Sequence, residues 1–371
     1  LKPPDILLNK LTDMTTVLES LNRSLHRSLG DDKRIIVIGE DILDPYGGAF
    51  KVTRGLSEKY PDQVISTPIS EAGIVGIAAG MAMRGLLPIV EIMFGDFLTL
   101  AADQIINHAV KFRWMYNEKV KLPLVIRTPM GGRRGYGPTH SQTLEKLFLG
   151  VPGLNVLAPC SIGEPGELLF YAIKDIEDPV LFIENKLLYP QPVGSTLEKS
   201  DFRITTHKHE NQSQKETITN IGKNSKVSPP TFSIRISDAP KPTLSIAAYG
   251  FMSELALQAI HDLAYQHEVF CELVVPTWLV PWSIKPFLSS CKLTGKLLVI
   301  EEGTLSLGWG AEIVSRVSEI LISELTSVRR LAALEYPIPG SEPLESAMLP
   351  GIGSIKEAAI EMEHIHNRNQ I

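Results

Sequence analysis

The residues of this chain that could do chemistry gather in a few short stretches rather than in one motif. In Thr67–Gly85 (TPISEAGIVGIAAGMAMRG), Ser70 stands where it can cap a helix and Glu71 falls in the first turn behind it. A carboxylate there suits the positive end of the helix dipole. The same place, just past an extended segment, is where an open α/β sheet collects ligands. The loop Thr128–Gln142 (TPMGGRRGYGPTHSQ) is long and glycine-rich, carries Arg133 and Arg134, and reaches His140 near its end. Long loops on a rigid scaffold are more often functional than merely connective. A single loop histidine is weak evidence by itself, because most such residues are solvated or structurally bonded. Glu40 and Asp41 open the loop EDILDPYGGAF and read either as a catalytic carboxylate pair or as a polar strand end. Glu301 and Glu302 close a later strand, where a structural or interface role is the default. Gly131, Gly132, Gly135 and Gly137 match neither the Walker spacing nor GxGxxG, so a nucleotide site is set aside.

Short apolar runs alternate with helical patterns and must position these residues. The runs are Arg34–Gly39, Val64–Thr67, Pro88–Met93, Pro123–Arg127, Leu154–Pro159 and Val180–Glu184. Most are continuously apolar, as strands buried on both faces of a parallel sheet are. Helices are expected over Leu11–Leu29 behind Thr12 or Asp13, and near Phe50–Tyr60, Glu71–Arg84, Phe97–Tyr116 and Glu164–Lys174. This is a doubly wound, mostly parallel α/β domain over residues 12–190. Residues 191–242 are poor in apolar side chains and rich in Ser, Asn, Lys and Pro, which reads as a partly disordered linker. Residues 243–371 resume the alternation as a smaller α/β domain. In it, strands are expected at Thr243–Ala248, Val269–Val275, Lys296–Glu301 and Arg329–Leu334. Helices are expected at Met252–His267, Ile284–Ser290, Gly310–Leu321 and Ser354–Glu363. Gly73, Gly76 and Gly80 in the helix behind Ser70 each cost roughly 1 kcal/mol against alanine. Close approach of another helix or a ligand would offset that cost.

The 371 residues suffice for two domains with substantial cores. A net charge of −6 without a Lys/Arg block argues against a nucleic-acid partner. The cysteines Cys160, Cys271 and Cys291 are far apart and form no CxxC pair, which points to a reducing compartment rather than a zinc site. No apolar run is long enough for a membrane span. A signal-peptide pattern is not evident, although the chain begins at Leu1.

With these stretches in order, the chain resembles the beta subunit of the decarboxylating first component of 2-oxo acid dehydrogenase complexes, within the transketolase-like thiamine enzymes. The carrying segments are GEDILDPYGGAFKVTRGL, TPISEAGIVGIAAGMAMRGLLPIVEIMFGDF, DQIINHAVKFRWM, PLVIRTPMGG, HSQTLE, VPGLNVLAP, LLVIEEG and PIPGSEPLESAMLP. The resemblance implies thiamine diphosphate shared with an alpha subunit, which carries the diphosphate and magnesium site; this chain has no GDG motif. It further implies an α2β2 heterotetramer with a beta–beta contact, a lipoyl-bearing acyltransferase partner, and a cytoplasmic (bacterial) or mitochondrial-matrix setting. By the same resemblance Glu71 bonds a ring nitrogen of the aminopyrimidine, Phe97 stacks on it and Met93 lies beside it. His140 assists acyl transfer to lipoate, and Glu40 belongs to a polar network between paired sites. Leu124, Ala172, Asp175 and Asp178 correspond to a potassium site found in some members.

The chain departs from the family pattern at several points. Gly-Pro-Thr precedes His140, Arg133–Arg134 is unusually basic, the Asp175–Pro179 turn is one residue longer, and PTWLVPWS replaces Asp-Leu-Arg-Thr. Two other readings stay open at this level: a non-catalytic scaffold that kept the fold, and a thiamine enzyme half with a non-lipoyl acceptor.

Overall fold

The computed structural model describes residues 15–194, 201–208 and 229–368. Helix α1 (Val17–Asp31) opens the described chain behind a capping box, in which the Thr16 N–H donates to Glu19 Oε2 at 2.9 Å and the Glu19 N–H to Thr16 Oγ1 at 3.2 Å. The start expected behind Thr12 or Asp13 lies outside the described residues, and the cap in the structure is Thr16. Six strands follow: β1 (Ile35–Gly39), β2 (Val64–Ser66), β3 (Leu87–Glu91), β4 (Val125–Met130), β5 (Asn155–Leu157) and β6 (Val180–Asn185). They are mutually parallel in the order β5-β6-β4-β3-β1-β2. Their apolar residues alternate between two cores, as the two-residue period of a strand requires. Ile35, Val37, Ile89, Val125 and Phe182 face α1 and α6 (Pro165–Lys174), which contribute Leu21, Leu25, Leu29 and Leu169. Ile38, Val90, Ile126 and Leu181 face α3 (Glu71–Met83) and the helical run that begins at Leu98, which contribute Val75, Ala78 and Ile105.

Two of the expected helices differ. Over Phe50–Tyr60 only α2 (Leu56–Lys59) forms, because Gly47, Gly48, Lys51 and Gly55 take positive φ and turn the chain. Over Phe97–Tyr116 the helix is broken into α4 (Leu98–Asp103), a π-helical turn Gln104–Ala109, and α5 (Val110–Met115). Here α3 approaches closely: a Cβ on Gly76 would stand 3.0 Å from Gln104 Oε1. A Cβ on Gly80 by contrast would meet no atom of another element within 4 Å among the described residues, so this chain leaves that side of α3 open, along with the exposed Ile69 and Ile77.

The second sheet runs β13-β12-β9-β10-β8-β7. Its strands are β7 (Phe202–His207), β8 (Thr231–Ile236), β9 (Leu244–Ala248), β10 (Cys271–Pro276), β12 (Lys296–Thr304) and β13 (Ser327–Ala333). Around it lie α7 (Phe251–His267), α8 (Lys285–Thr294), α9 (Trp309–Ile320), α10 (Glu342–Met348) and α11 (Ile352–Arg368). The expectation of a linker over 191–242 is corrected at two places. β7 and β8 form an antiparallel pair that extends this sheet, with Ile204 opposite Ile234. Their alternation is masked in sequence by Thr, Arg and Ser on the polar face. The rest of the polar run, 209–228, lies outside the described residues. The divergent PTWLVPWS segment also acquires a role. Its β11 (Trp278–Val280) leaves the second sheet and pairs antiparallel with β5, becoming the seventh strand of the first sheet. Trp278 is 3% exposed in that position. The two halves are thus joined by main-chain bonding as well as by side chains.

Candidate active site and the interface that braces it

Four neighbouring strand ends carry the sequence-predicted residues. The order β4-β3-β1-β2 puts the His140 loop after β4, Phe94–Phe97 after β3, Glu40 after β1 and Glu71 after β2. At ~4.8 Å per strand, the whole set spans about 15 Å. Ser70 caps α3 by accepting from the Gly73 N–H at 3.3 Å, which fixes Glu71 as its first residue. Glu71 is buried, yet its carboxylate has no hydrogen-bond partner among the described residues. Glu40 is buried as well, and its Oε1 is unbonded. Burial and the Glu71 charge push the Glu40 carboxyl above its usual range, while a hydrogen bond from the Ser70 backbone opposes them. The two buried carboxyls thus keep spare acceptor capacity.

The other half of the cluster is aromatic. His140 is half-buried and stands edge-on to Phe94 and Phe97, at centroid distances of 4.8 and 5.3 Å. Phe94 touches Phe97, Phe50 and Tyr136 in the same edge-on manner. Met93, half-buried, leads into this group. Asp96 turns back to hold the loop, accepting from the Gln142 N–H at 3.2 Å and Nε2 at 2.9 Å. A Cβ on Gly95 would lie 2.2 Å from Met130 Cγ, so only glycine lets the Phe94–Phe97 turn pass over β4.

The loop is held from the other side by the C-terminal half. Glu302 on β12 accepts the Gly132 N–H at 2.6 Å and Asn185 Nδ2 at 3.2 Å. Glu345 on α10 accepts the Arg133 N–H at 2.7 Å and the Gly135 N–H at 3.1 Å. These bonds hold Arg133 at φ 66°, a left-handed conformation that is strained for a residue with a side chain. Behind Glu302, Tyr249 donates to the buried Glu145, and Glu301 accepts the Gly310 N–H at 3.1 Å.

Burial, with the Glu145 charge adding to it, pushes the Glu301 carboxyl up to about 7. A carboxyl raised on folding contributes stability in full below its unfolded value and loses it as pH rises through the folded one. The molecule is therefore expected to lose thermal stability as pH rises from about 4.5 to about 7, with Glu301→Gln flattening that dependence. Parallel melts of the two proteins across this range check it, and an equal pH slope in both would remove Glu301 as the cause.

Comparison with known proteins matches residues 13–192 to the transketolase pyrimidine-binding domain and 235–355 to the transketolase C-terminal domain. The chain is 34% identical over 348 residues to the mitochondrial pyruvate dehydrogenase E1 component subunit beta-2 of Oryza sativa subsp. japonica, covering 93% of this chain and 85% of that protein. The chain belongs to the transketolase-like family of 2-oxo acid dehydrogenase beta subunits. It is likewise 35% identical to the mitochondrial pyruvate dehydrogenase beta subunit of Drosophila melanogaster, over 94% of this chain and 88% of the other. A 3-methyl-2-oxobutanoate dehydrogenase subunit beta of Mycobacterium tuberculosis is 29% identical over 94% and 93%. Among solved structures, a split-gene transketolase described as an inactive beta4 tetramer aligns with a TM-score of 0.64 at 19% identity, covering 94% of this chain and 98% of that one. That likeness concerns the fold alone. Membership in the family implies dependence on thiamine diphosphate.

Relative to that family, the sequence reading missed Lys186, Glu345 and the Phe94–Tyr136 contact. Lys186 directly follows the apolar strand β6 and is fully buried. The four residues compared with a potassium site do not present a free oxygen set. Arg113 Nη1 donates to Asp178 Oδ1 at 2.8 Å, and the Leu124 carbonyl accepts the Val180 N–H at 2.8 Å. Ala172 lies within α6, and Asp175 is its half-buried C-cap. A guanidinium already neutralises Asp178, so these residues do not fit a bound potassium ion.

Proposed function

We propose that this chain is the beta subunit of a 2-oxo acid dehydrogenase first component. Together with an alpha subunit it carries out oxidative decarboxylation of a 2-oxo acid, pyruvate or a branched-chain acid, and passes the acyl group to lipoyl groups. The observation that carries this reading is Glu71: buried, fixed by a capped helix start, without a side-chain hydrogen-bond partner among the described residues, and beside a second carboxyl that shares its surroundings. A carboxyl in that state fits the ring nitrogen of an aminopyrimidine. Phe97 and Met93 would flank the ring, and Glu40 would hold the proton that Glu71 exchanges. Thiamine diphosphate bound there supplies the electron sink for decarboxylation. Glu71 orients and protonates the pyrimidine side, α3 and its small residues exclude water, and His140 reaches the reacting centre from the loop.

The diphosphate and its magnesium fall to the alpha subunit, since this chain carries no GDG motif. The open side of α3, with Gly80, Ile69 and Ile77, suits the alpha partner and a second copy of this chain. On the same reading, 12–190 is the pyrimidine-binding domain, and the C-terminal domain takes in β7 and β8 ahead of residue 243. The setting is the cytoplasm of a bacterium or the mitochondrial matrix of a eukaryote; no described helix is long and apolar enough to cross a membrane. Mixing the purified chain with its alpha subunit, thiamine diphosphate and magnesium tests the proposal. The mixture is expected to turn over one or more of pyruvate, 2-oxobutyrate and 2-oxoisovalerate, and failure with all three contradicts it.

A further inference from the structure

Lys186 is a fully buried cation with no carboxylate in ion-pair contact among the described residues. It follows β6, its own N–H bonds the Met130 carbonyl at 3.0 Å, and its ammonium points into the His140 loop. There Nζ donates to the His140 carbonyl and lies 5.5 Å from the Phe94 ring centroid and 5.4 Å from that of Tyr136. Asp96, Glu302 and Glu345 are the acids whose charges act on it; Glu302 and Glu345 spend oxygens on loop amides, and Asp96 bonds Gln142 through Oδ1 while its Oδ2 stays buried without a partner among the described residues. Arg134 lies across the loop, with Nη2 3.5 Å from the Lys186 carbonyl. A buried ammonium whose contacts among the described residues are one carbonyl and two aromatic rings is costly to keep, and it stiffens whatever it touches.

We propose that Lys186 is a positioning residue for acyl transfer: its ammonium pins the main chain of His140 and the faces of Phe94 and Tyr136, and so aims the imidazole at the acceptor side of the reacting centre. This inference rests on the proposed function, in which His140 serves the transfer step. Glu71 and Glu40, on the far strands, serve the earlier decarboxylation and do not depend on Lys186. The charge has a limited pH range, because burial pulls the amine down to about 8 against the opposing pull of Asp96, Glu302 and Glu345. Above that value the amine is neutral, the ring contacts weaken and the imidazole is released.

The test uses the assembled alpha–beta enzyme and two half-reactions: decarboxylation read with ferricyanide as artificial acceptor, and acylation of free lipoamide. Lys186→Met is expected to slow acylation about ten- to a hundredfold, the range of one charge-assisted hydrogen bond. Ferricyanide-linked decarboxylation should change less than about twofold. Lys186→Arg should restore most of the acylation. In the wild type the ratio of acylation to decarboxylation should fall as pH passes through about 8, and in Lys186→Arg it should not. His140→Ala is the reference. If it leaves acylation intact, the role given to His140 in the proposed function is wrong. If it slows acylation while Lys186→Met does not, or Lys186→Met slows both half-reactions equally, the positioning role is overturned. Should the Met variant fail to fold, the wild-type and Arg pH profiles decide alone, and a wild-type ratio flat through pH 8 overturns the proposal.

Discussion

Glu71→Gln, assembled with the alpha subunit, is expected to lower 2-oxo acid decarboxylation by about 10²–10⁴-fold, the usual worth of a positioned proton donor. Glutamine keeps the size of the side chain and can still hydrogen-bond, but it cannot give and retake a proton at a ring nitrogen. The fold should hardly notice. Ser70 makes the cap through its own side chain, and the acid adds only a dipole contribution of about 0.3–1 kcal/mol. Among the described residues the Glu71 carboxylate makes no hydrogen bond whose loss would strand a partner. Thermal unfolding of the variant should therefore lie within a few degrees of wild type while turnover collapses. Turnover within a few-fold of wild type would leave Glu71 as a dipole-favouring acid and nothing more.

Arg127→Leu is expected to produce the largest loss of stability, about 3–5 kcal/mol, because it strands buried carboxylates. Arg127 is 2% exposed and binds two of them. Nε and Nη2 grip the two oxygens of Glu184 at 2.8 and 2.7 Å, and Nη1 meets Glu91 Oε2 at 2.8 Å. Tyr189 adds a further hydrogen bond to Glu184 at 2.8 Å. Burial pushes the Glu91 carboxyl up and the Arg127 charge opposes it, so leucine leaves an acid that prefers to be neutral. The damage should accordingly be smaller at pH 5 than at pH 8. It also reaches the site. A Cβ on Gly48 would stand 2.6 Å from Glu91 Oε1, and the Gly48 N–H bonds the Asp41 carbonyl at 3.0 Å, so Glu91 underlies the loop that begins at Glu40. Urea unfolding at the two pH values measures the effect, and a loss under about 1 kcal/mol at pH 8 would show that the trio is not held as described.

The parallel core was legible because most strands from β1 to β6 are apolar on both faces, β2 with its exposed Ile65 and Ser66 being the exception. The start of α3 was legible for a local reason as well, since Ser70 and Glu71 state cap and first turn in adjacent residues. What escaped depends on distant partners. The break at Gln104–Ala109 has no proline or glycine to announce it and appears only where α3 crosses at Gly76. β7 and β8 carry polar faces and lie beside a long polar run, so their pairing was invisible without the sheet they extend. β11 is short, and its strand partner β5 lies far earlier in the chain. At the site, Glu40, Glu71, Met93, Phe97 and His140 do converge on adjacent strand ends. The family resemblance supplied their roles, and spacing alone would not have done so. Lys186 and Glu345 carry no local signal. Their meaning comes from a loop that two halves of the molecule close around.

The half-site character of this chain is open to one direct measurement: calorimetric titration of thiamine diphosphate with magnesium into the purified chain, into its alpha subunit, and into the two mixed. On the proposed function half of the site lies on the partner, so tight binding is expected only in the mixture, where it should weaken on Glu71→Gln. Tight binding by this chain alone, or a mixture that binds no better than the alpha subunit by itself, would contradict the assignment.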